Sequence, residues 1–441
     1  MKGNSLTTLF IIHCSLFIIF SSCSVSRQIA KQANTILLKD SAVSTGHIGI
    51  SIYDPVANKY LYDYNSSHYF IPASNTKLFT LYAGMKYLGD SLPGAQIIEY
   101  ADEVDVKATG DPTFLNSEYP FQPLYKYLTS TSKYIWSIPS DWQANHLGRG
   151  WAWDDYNSDY MAERSALPIY GNLVTFSGKK ESIQFYPKVS KIENFRFDNV
   201  NAEGEFITKV QRDINQNIFA ITLGGNQPNK IQIPFHTSES LSFHLLEDTI
   251  KKSIGFLKDN YTTPIKTFTI HSQPTDSLFK PMMHRSDNFF AEQTLLMASN
   301  EHLGYMNDEK IIDTILNKDL KDVPQRPKWV DGSGLSRYNL FTPQDFIYIL
   351  NKMKNDFGLE RMKTILATGG EGTLSSYYKK DAGFIYAKTG TLSNNCALSG
   401  YLITKKGKLF LFSILANNYI TGATPIRRAV ERFVEQLREK Y

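Results

Sequence analysis

Alternating apolar and polar positions near the start of the chain predict a β-hairpin. Residues 48–53 and 60–64 alternate in this way, and turn-forming residues fill the segment 54–59 between them. Apolar side chains then recur between Leu78 and Met85 with the spacing of one helical face. The pattern therefore predicts a hairpin followed by a helix that begins at Ser74.

The C-terminal end repeats this combination of strands and a helix. Alternation predicts strands over Phe384–Thr391, Ala397–Thr404 and Leu409–Ala416, and helical periodicity predicts a helix over residues 425–438. Strand pairs and helices at both ends indicate one antiparallel sheet that is assembled from both ends of the chain. The expected fold class is α+β.

The middle of the chain has a different pattern. Residues 96–265 contain many short alternating segments, such as Glu205–Val210 and Phe219–Leu223, separated by clusters of Gly, Asn and Pro. A chain of 441 residues is also too long for one ordinary hydrophobic core. We therefore predict a mostly β insertion over 96–265, within a main domain formed by residues 35–95 and 266–441.

Composition and charge narrow the class of protein. Hydrophobic residues make up 42% of the chain and charged residues 20%, as in a folded globular protein. The net charge is only +4, and no stripe of Lys and Arg runs beside aromatic residues. Nucleic acid is therefore not an expected partner.

Residues 1–23 have the features of a secretory signal peptide. Lys2 precedes an interrupted apolar stretch that is too short for a comfortable membrane span, and small residues precede Cys23. This ending resembles the lipobox of bacterial lipoproteins and predicts lipidation of Cys23; ordinary cleavage beside an incidental cysteine is the alternative. Cys396 lies in an apolar run and is predicted to be a small buried side chain.

One serine–lysine pair coincides with the start of the predicted N-terminal helix. Ser74 and Lys77 are three residues apart, which places both side chains on one helical face. The helix dipole there favours negative charge that develops near the serine. The same Ser-x-x-Lys spacing also begins at Ser130, Ser177 and Ser376, so the spacing alone is a weak indication of a nucleophile and its base.

Two further motifs follow along the chain. The segment Ser286–Asn288 is a short polar turn before an apolar helix, and capping of that helix by Ser286 or Asp287 is the alternative to a catalytic role. The segment Lys388–Gly390 lies in a predicted strand, where the glycine would let a substrate backbone approach the strand edge. A charged strand end with a glycine bulge is the alternative there.

In this order, the three motifs resemble those of a known family. The likeness is strengthened by the stretches Gly110–Thr113, Asp331–Arg337, Gly370–Leu374 and Ala397–Tyr401. The chain resembles the penicillin-binding D-alanyl-D-alanine carboxypeptidases and endopeptidases of the serine peptidase family (S13) that includes penicillin-binding protein 4, over nearly the whole mature chain. The resemblance implies a penicillin-binding, β-lactamase-like transpeptidase domain with helices on both faces of its sheet, interrupted by the insertion. It implies no cofactor and no metal.

The resemblance also implies an acyl-enzyme mechanism. Ser74 is expected to attack the carbonyl group that joins two D-alanines, after a base removes its proton. Lys77 can be that base only when it is neutral, and burial and the cation Lys388 are expected to lower its pKa. Ser286 is expected to relay the proton to the leaving amine.

Substrate binding is expected from residues of the second and third motifs: Asn288, Lys388, Thr389, Gly390 and Thr391. Asn288 would hold Lys77 or the substrate amide, and Lys388 and Thr389 would bind the terminal carboxylate. The backbone N–H groups of Ser74 and Thr391 are the expected oxyanion hole.

The expected substrates are peptidoglycan stem peptides, with β-lactams as covalent inhibitors. Cleavage of a D-amino-acid cross-link would make the enzyme an endopeptidase as well. Asp155, in the aromatic and acidic segment Trp151–Tyr156, is the predicted substrate contact in the insertion; packing of the insertion onto the main domain is the alternative. The expected location is the periplasm, with a membrane anchor through Cys23.

Three other classes of protein are less consistent with the sequence. A class A β-lactamase shares the motifs, and Asp313–Asn317 faintly resembles its Glu-x-x-Leu-Asn loop, but aspartate is one methylene shorter and the insertion is too long. The nine histidines are scattered and form no metallopeptidase motif. A non-catalytic cell-wall-binding protein would not need the intact Ser74, Lys77, Ser286 and Lys388.

Overall fold

The structure is a computed structural model that describes residues 25–188, 194–198, 204–256 and 263–441. The chain forms two compact units. The first unit consists of Met1–Leu78, Asp322–Lys328 and Asn339–Tyr441, and the second of Phe79–Lys321 and Trp329–Tyr338. The insertion boundaries at 96 and 265 stay a prediction, and the signal peptide with Cys23 lies outside the described residues.

The β-strands of the described residues are numbered in chain order. They are β1 (His47–Asp54), β2 (Lys59–Tyr64), β3 (Ser91–Glu99), β4 (Glu103–Ala108), β5 (Tyr134–Ser137), β6 (Leu173–Ser177), β7 (Gln184–Tyr186), β8 (Asn194–Asp198), β9 (Phe206–Arg212), β10 (Ile218–Gly225), β11 (Lys230–Pro234), β12 (Ile254–Phe256), β13 (Lys266–Pro274), β14 (Ala367–Thr368), β15 (Ile385–Leu392), β16 (Asn395–Ile403) and β17 (Leu409–Asn417).

The α-helices of the described residues are numbered in the same way. They are α1 (25–32), α2 (Lys77–Tyr87), α3 (Pro123–Ser130), α4 (Glu239–Ile250), α5 (Thr275–His284), α6 (Asn288–Leu303), α7 (Asp308–Asn317), α8 (Pro343–Phe357), α9 (Leu359–Ile365) and α10 (Ala423–Lys440). Within the described ranges, no helix combines the length and the apolar character that crossing a membrane requires.

The first unit is built on a six-stranded sheet. Its strand order is β14-β15-β16-β17-β1-β2, and every neighbouring pair is antiparallel. Strand β1 pairs with β17, so that His47 lies opposite Asn417 and the N-terminal hairpin joins the C-terminal strands. The prediction of one antiparallel sheet assembled from both ends of the chain is confirmed.

Helices cover both faces of this sheet. On one face, alternate strand residues such as Ile50 and Ile414 form a buried core with α1 and α10. Cys396 belongs to this core and is buried, as predicted. On the other face, the Tyr401 hydroxyl donates a 2.6 Å hydrogen bond to the carbonyl oxygen of Leu350 in α8. The prediction of an α+β fold, with helices on both faces of an antiparallel sheet, is therefore confirmed.

The second unit contains three smaller sheets. Their strand orders are β12-β5-β4-β3-β13, β8-β10-β9 and β11-β6-β7. One buried core joins side chains from these sheets, including Val106, Phe176 and Phe219, with Leu296 of α6. The helix that follows the second motif is thus anchored in the core of this unit.

Element boundaries differ from the predicted ones by a few residues. The structure places a short 3₁₀ turn at Ala73–Thr76, and α2 begins at Lys77 rather than at Ser74. Helix α10 extends beyond 425–438 at both ends. Such shifts are expected because the terminal turns of a helix need no apolar residue, and periodicity therefore does not mark them.

Candidate active site

Ser74 lies in the 3₁₀ turn that leads into α2. The preceding residue, Ala73, has a φ of +48°, which is an uncommon conformation for a residue other than glycine. The turn is held internally by the Thr76 hydroxyl, which donates to the Ala73 carbonyl oxygen at 2.9 Å. The Asn75 side-chain amide donates to the Ser399 hydroxyl of β16 at 2.7 Å. These contacts fix the backbone of the serine relative to the sheet.

Lys77 is the first residue of α2 and is fully buried. Its Nζ atom lies 3.1 Å from the Ser74 Oγ atom, within hydrogen-bond distance. Ser74 itself is half-buried, whereas the lysine beside it is fully buried. The structure therefore brings the predicted nucleophile and the predicted base together.

Strand β15 carries the third motif. It pairs with β16 along its whole length, with Lys388 opposite Ser399 and Thr391 opposite Cys396. On its other side, β14 pairs only with Tyr386 and Ala387. No strand of the described chain covers residues 389–391 on that side, so this end of β15 has the edge that an extended peptide requires.

Gly390 lies directly against the nucleophile turn. A Cβ atom at this position would be 2.5 Å from the Pro72 carbonyl oxygen and 3.1 Å from the backbone nitrogen atoms of Ser74 and Asn75. A side chain here would therefore displace the backbone of the serine. Close approach of a substrate backbone is the reason for this glycine that was predicted from the sequence, and the contact with the turn is a second reason.

Three basic side chains form the cationic cluster of the first unit: Lys77, Lys388 and Arg427. Lys388 is fully buried, and its Nζ atom donates to the Thr389 carbonyl oxygen at 2.8 Å. Burial lowers the pKa of Lys388 well below the ordinary lysine value, and the charges of Lys77 and Arg427 lower it further. The positive charges therefore disfavour simultaneous protonation of Lys77 and Lys388. A lysine must be unprotonated before it can accept the serine proton.

The second motif lies in the second unit, at the start of α6. Ser286 has a φ of +65°, and the Asp287 carboxylate accepts a 2.9 Å hydrogen bond from the Phe290 backbone N–H. Asp287 therefore caps α6, which is the alternative role that the sequence left open. The Asn288 side-chain amide donates to the Tyr160 carbonyl oxygen at 3.0 Å, which ties the motif to the 3₁₀ turn Asp159–Met161 that follows the segment with Asp155.

An open cavity of about 460 Å³ adjoins the second motif within the second unit. Its walls include Ser286–Asn288 together with Glu118, Tyr160, Tyr186 and Gln232. Residues of the motif thus line a space that is large enough for part of a ligand.

Four buried charged side chains form an ion-pair network in the second unit: Arg164, Glu292, Asp308 and Asp331. The Arg164 Nη1 atom lies 3.1 Å from the Glu292 carboxylate and 2.6 Å from that of Asp308. Burial and the charge of Asp331 raise the pKa of Glu292 to about 7, while Arg164 opposes this shift. Glu292 is one helical turn after Asn288, so the network fixes the helix that carries the second motif.

Asp331 organises the backbone of the segment that follows it in the second unit. Its carboxylate accepts hydrogen bonds from the backbone N–H groups of Gly334 at 2.8 Å and Ser336 at 2.7 Å. It also accepts a 2.9 Å hydrogen bond from the Trp151 indole N–H. Trp151 is thus a packing residue, whereas the nearby Trp153 is 74% exposed.

Asp155 lies in a 3₁₀ turn, Trp153–Asp155, and is half-buried. Burial raises the pKa of the Tyr160 hydroxyl, and the Asp155 carboxylate contributes to the same shift. Asp313, which faintly resembled part of a β-lactamase loop, is an exposed residue of helix α7. It therefore does not form the loop that the β-lactamase alternative requires.

Arg427 and Arg164 were not among the site residues predicted from the sequence. Arg427 lies in the predicted C-terminal helix and outside the three motifs, and it donates to the Thr391 hydroxyl. One signal was available for it: a cation in the first turns of a helix opposes the helix dipole and so invites another explanation. Arg164 lies in an irregular segment, where periodicity offers no signal.

Comparison with known families gives one match across the chain. The sequence model of the D-Ala-D-Ala carboxypeptidase 3 (S13) family matches residues 29–439. This range contains all three motifs and nearly all of both units.

Individual proteins support the same comparison. "Penicillin-sensitive carboxypeptidase A" of Dictyostelium discoideum is 24% identical over 530 aligned residues, which cover 98% of this chain and 98% of that protein. "D-alanyl-D-alanine carboxypeptidase DacB" of Haemophilus influenzae is 23% identical, over 83% of this chain and 84% of that one. The crystal structure of penicillin-binding protein 4 (dacB) from Haemophilus influenzae superposes with a TM-score of 0.72 at 19% identity, covering 93% and 99% of the two chains. The last likeness shows the fold.

Proposed function

This chain belongs to the D-Ala-D-Ala carboxypeptidase 3 (S13) family, and we propose that Ser74 is the nucleophile with which it cleaves D-alanyl-D-alanine peptides. Membership of that family makes the protein a hydrolase, a serine-type D-Ala-D-Ala carboxypeptidase, and confirms the resemblance inferred from the motifs. The observation that supports Ser74 is the 3.1 Å separation between its Oγ atom and Lys77 Nζ.

The acylation step follows from the cationic cluster. Neutral Lys77 takes the Ser74 proton while Oγ attacks the carbonyl carbon of the penultimate D-alanine. The C–N bond then breaks, the amine of the terminal D-alanine receives a proton, and an ester to Ser74 remains. Water hydrolyses this ester and regenerates the serine. The neighbouring Lys388 helps because a positive charge on either lysine disfavours protonation of the other.

Roles for the remaining site residues come from the family resemblance. Ser286 relays the proton to the leaving amine, and Asn288 orients Lys77 or the substrate amide. The N–H groups of Ser74 and Thr391 bind the oxyanion, an interaction that is worth about 3–4 kcal/mol for one donor in a serine protease. The accessible edge of β15 and the position of Gly390 against the serine turn support this use of the strand.

Peptidoglycan stem peptides are the proposed substrates, and β-lactams the proposed covalent inhibitors. A D-amino-acid cross-link has the same scissile amide, so endopeptidase action would use the same steps. Digestion of purified cross-linked and uncross-linked muropeptides, with identification of the products, separates the two activities. Release of D-alanine alone would restrict the enzyme to carboxypeptidase action.

Covalent labelling tests the nucleophile. A labelled penicillin should attach to the wild-type protein and not to Ser74→Ala. Ser130→Ala is the matched control, because Ser130 has the same Ser-x-x-Lys spacing but its hydroxyl donates to the Tyr127 carbonyl oxygen on an exposed surface. Labelling of Ser74→Ala at the wild-type level would refute the assignment.

Export and lipidation of Cys23 are further parts of this proposal, supported by the N-terminal sequence pattern. Radiolabelled palmitate should be incorporated by the wild-type protein and by Cys396→Ser, but not by Cys23→Ser. A soluble periplasmic protein without label would refute the lipid anchor and leave export intact.

Asp155 is proposed to contact the stem peptide through its carboxylate. Its half-buried position beside the exposed Trp153 and Tyr160 suits recognition of a cationic group on the peptide. Asp155→Asn should raise KM for peptides that carry a free side-chain amine and leave KM for neutral peptides unchanged. Equal effects on both peptides would indicate a packing role.

A further inference from the structure

Arg427 differs from the other arginines of α10 in its partners. The others pair with carboxylates: Arg428 with Glu431, Arg432 with Asp40 and Arg438 with Asp381. Among the described residues, no carboxylate pairs with Arg427. Because a partly buried guanidinium is costly without an anion, this position is suited to a carboxylate that arrives from outside.

The guanidinium of Arg427 is held at the accessible end of β15. Its Nη2 atom donates to the Thr391 hydroxyl, and its Cζ atom lies 6.0 Å from the centre of the Tyr377 ring. Thr391 is exposed and Arg427 is half-buried, so solvent reaches this pair. The ring and the hydroxyl limit the orientations of the side chain, which reduces the entropy that binding must remove.

This pair lies one residue along β15 from the glycine that contacts the nucleophile turn. Thr391 follows Gly390, at which a Cβ atom would be 3.1 Å from the Ser74 backbone nitrogen. A peptide that extends along the accessible edge of β15 from Gly390 reaches Thr391 after about one residue, the length that separates a scissile carbonyl from a C-terminal carboxylate. Arg427 is hydrogen-bonded to the Thr391 hydroxyl at that point.

The properties of the cationic cluster explain why an arginine, and not a lysine, is suited to bind an anion at the end of β15. Burial, Lys77 and Arg427 all lower the pKa of Lys388, so that lysine loses its proton more readily than an ordinary lysine. An arginine stays protonated throughout the accessible pH range, and its planar donors match a carboxylate. Arg427 can therefore bind an anion while the lysines exchange protons with the serine.

We propose that Arg427, together with the Thr391 hydroxyl, binds the C-terminal carboxylate of the substrate and selects peptides in which that carboxylate is free. This inference rests on the proposed function, because it names the group that holds one end of the same substrate. It adds to the expected carboxylate ligands, Lys388 and Thr389, a residue outside the three motifs.

The test compares two substrates that differ only at this group: an acyl-D-Ala-D-Ala peptide and its C-terminal carboxamide. Arg427→Gln should lower kcat/KM for the free acid about 10–100-fold, the range of a lost charged hydrogen bond. It should change kcat/KM for the carboxamide less than about twofold. Arg427→Lys should recover part of the loss on the free acid, because it restores a positive charge.

Arg428→Gln is the matched control, since Arg428 is the next residue of the same helix and pairs with Glu431 at 2.5 Å. It should leave kcat/KM for both substrates near the wild-type value. Equal losses on both substrates in Arg427→Gln, with a lowered Tm, would overturn the inference in favour of a tether between α10 and β15. Unchanged kcat/KM on both substrates would overturn it as well. A wild-type protein that neither reacts with penicillin nor cleaves either peptide would instead refute the proposed function, and the inference with it.

Discussion

The cationic cluster of the first unit and the ion-pair network of the second unit bury charge in opposite ways. Lys77, Lys388 and Arg427 repel one another, so the protonated form of the cluster is disfavoured. In the network, Arg164 lies between carboxylates, and positive and negative charges offset each other. Repulsion between cations lowers the pKa of a lysine and so allows proton transfer, as catalysis requires. Pairing of opposite charges instead holds together the segments that carry them and so maintains the fold.

Lys77→Arg tests the chemical side of this comparison and should have the largest effect. A guanidinium keeps the positive charge but cannot accept the Ser74 proton, so the acylation rate by labelled penicillin should fall about 10²–10⁴-fold. Lys133→Arg is the control, because Lys133 belongs to another Ser-x-x-Lys segment and pairs with Glu99 at 2.8 Å. A wild-type rate in Lys77→Arg would show that charge alone, and not proton acceptance, is required.

Arg164→Ala tests the architectural side. It leaves Glu292 and Asp308 without their shared cation, and should reduce the free energy of unfolding by about 3–5 kcal/mol in urea titrations. The control is Arg285→Ala, which removes ion pairs with Glu118 and Asp287; the side chains of Arg285 and Glu118 are 44% and 47% exposed. That change should cost less than about 1 kcal/mol. Similar losses in both variants would remove the distinction between the network and a surface pair.

Gly390→Ala tests how closely the cationic strand and the nucleophile turn fit. The new methyl group would lie 2.5 Å from the Pro72 carbonyl oxygen, so the turn must move. Overpacking of this kind costs about 1–3 kcal/mol, and we expect the acylation rate to fall about tenfold with the Lys77 side chain unchanged. Gly422→Ala is the control, since nothing lies within 4 Å of its Cβ position. Wild-type acylation by Gly390→Ala would mean that the turn tolerates displacement.

Glu292→Gln should have the smallest effect. It should change the way in which the free energy of unfolding depends on pH. In the folded protein the pKa of Glu292 is about 7, which lies above its value in the unfolded chain. The folded protein therefore holds the proton of the Glu292 carboxyl more tightly. Stability should therefore fall as the pH rises from about 4.5 to about 7, with a slope of at most about 1 kcal/mol per pH unit from this group. Asp331, Arg164 and Asp308 face Glu292 and remain in the variant.

The measurement is the free energy of unfolding in urea at several pH values between about 4 and about 8, the range that spans the two pKa values. The slope should be smaller in Glu292→Gln than in the wild type. An identical slope in both proteins would mean that Glu292 is ionised across this range, held so by Arg164.

The sheet and the three motifs could be predicted from the sequence because alternation and short spacing are local properties. The strands around Lys388 and the helix after Ser74 follow from such patterns, within a few residues. Contacts between distant segments could not be predicted in this way. Arg164 and Glu292 are far apart in sequence, and no periodicity relates them.

Gly390 shows a second limit of prediction from sequence. A glycine in a strand indicates close approach of another backbone, but the pattern does not identify that backbone. The structure identifies it as the turn that holds Ser74. Asp287 shows the reverse case, since capping was one of the roles that its position before an apolar helix allowed, and it does cap α6.

The assembly of the six-stranded sheet from both ends of the sequence has a consequence for the nascent chain. Ser74 is translated early, but its turn rests on Ser399 of β16 and on Gly390 of β15, which are made near the end. Long-range pairings of this kind form late, after the intervening chain is available. During its synthesis the protein thus carries a serine without the lysine strand that would activate it. Premature termination within the last strands would consequently yield an inactive polypeptide, even though its first two motifs are complete.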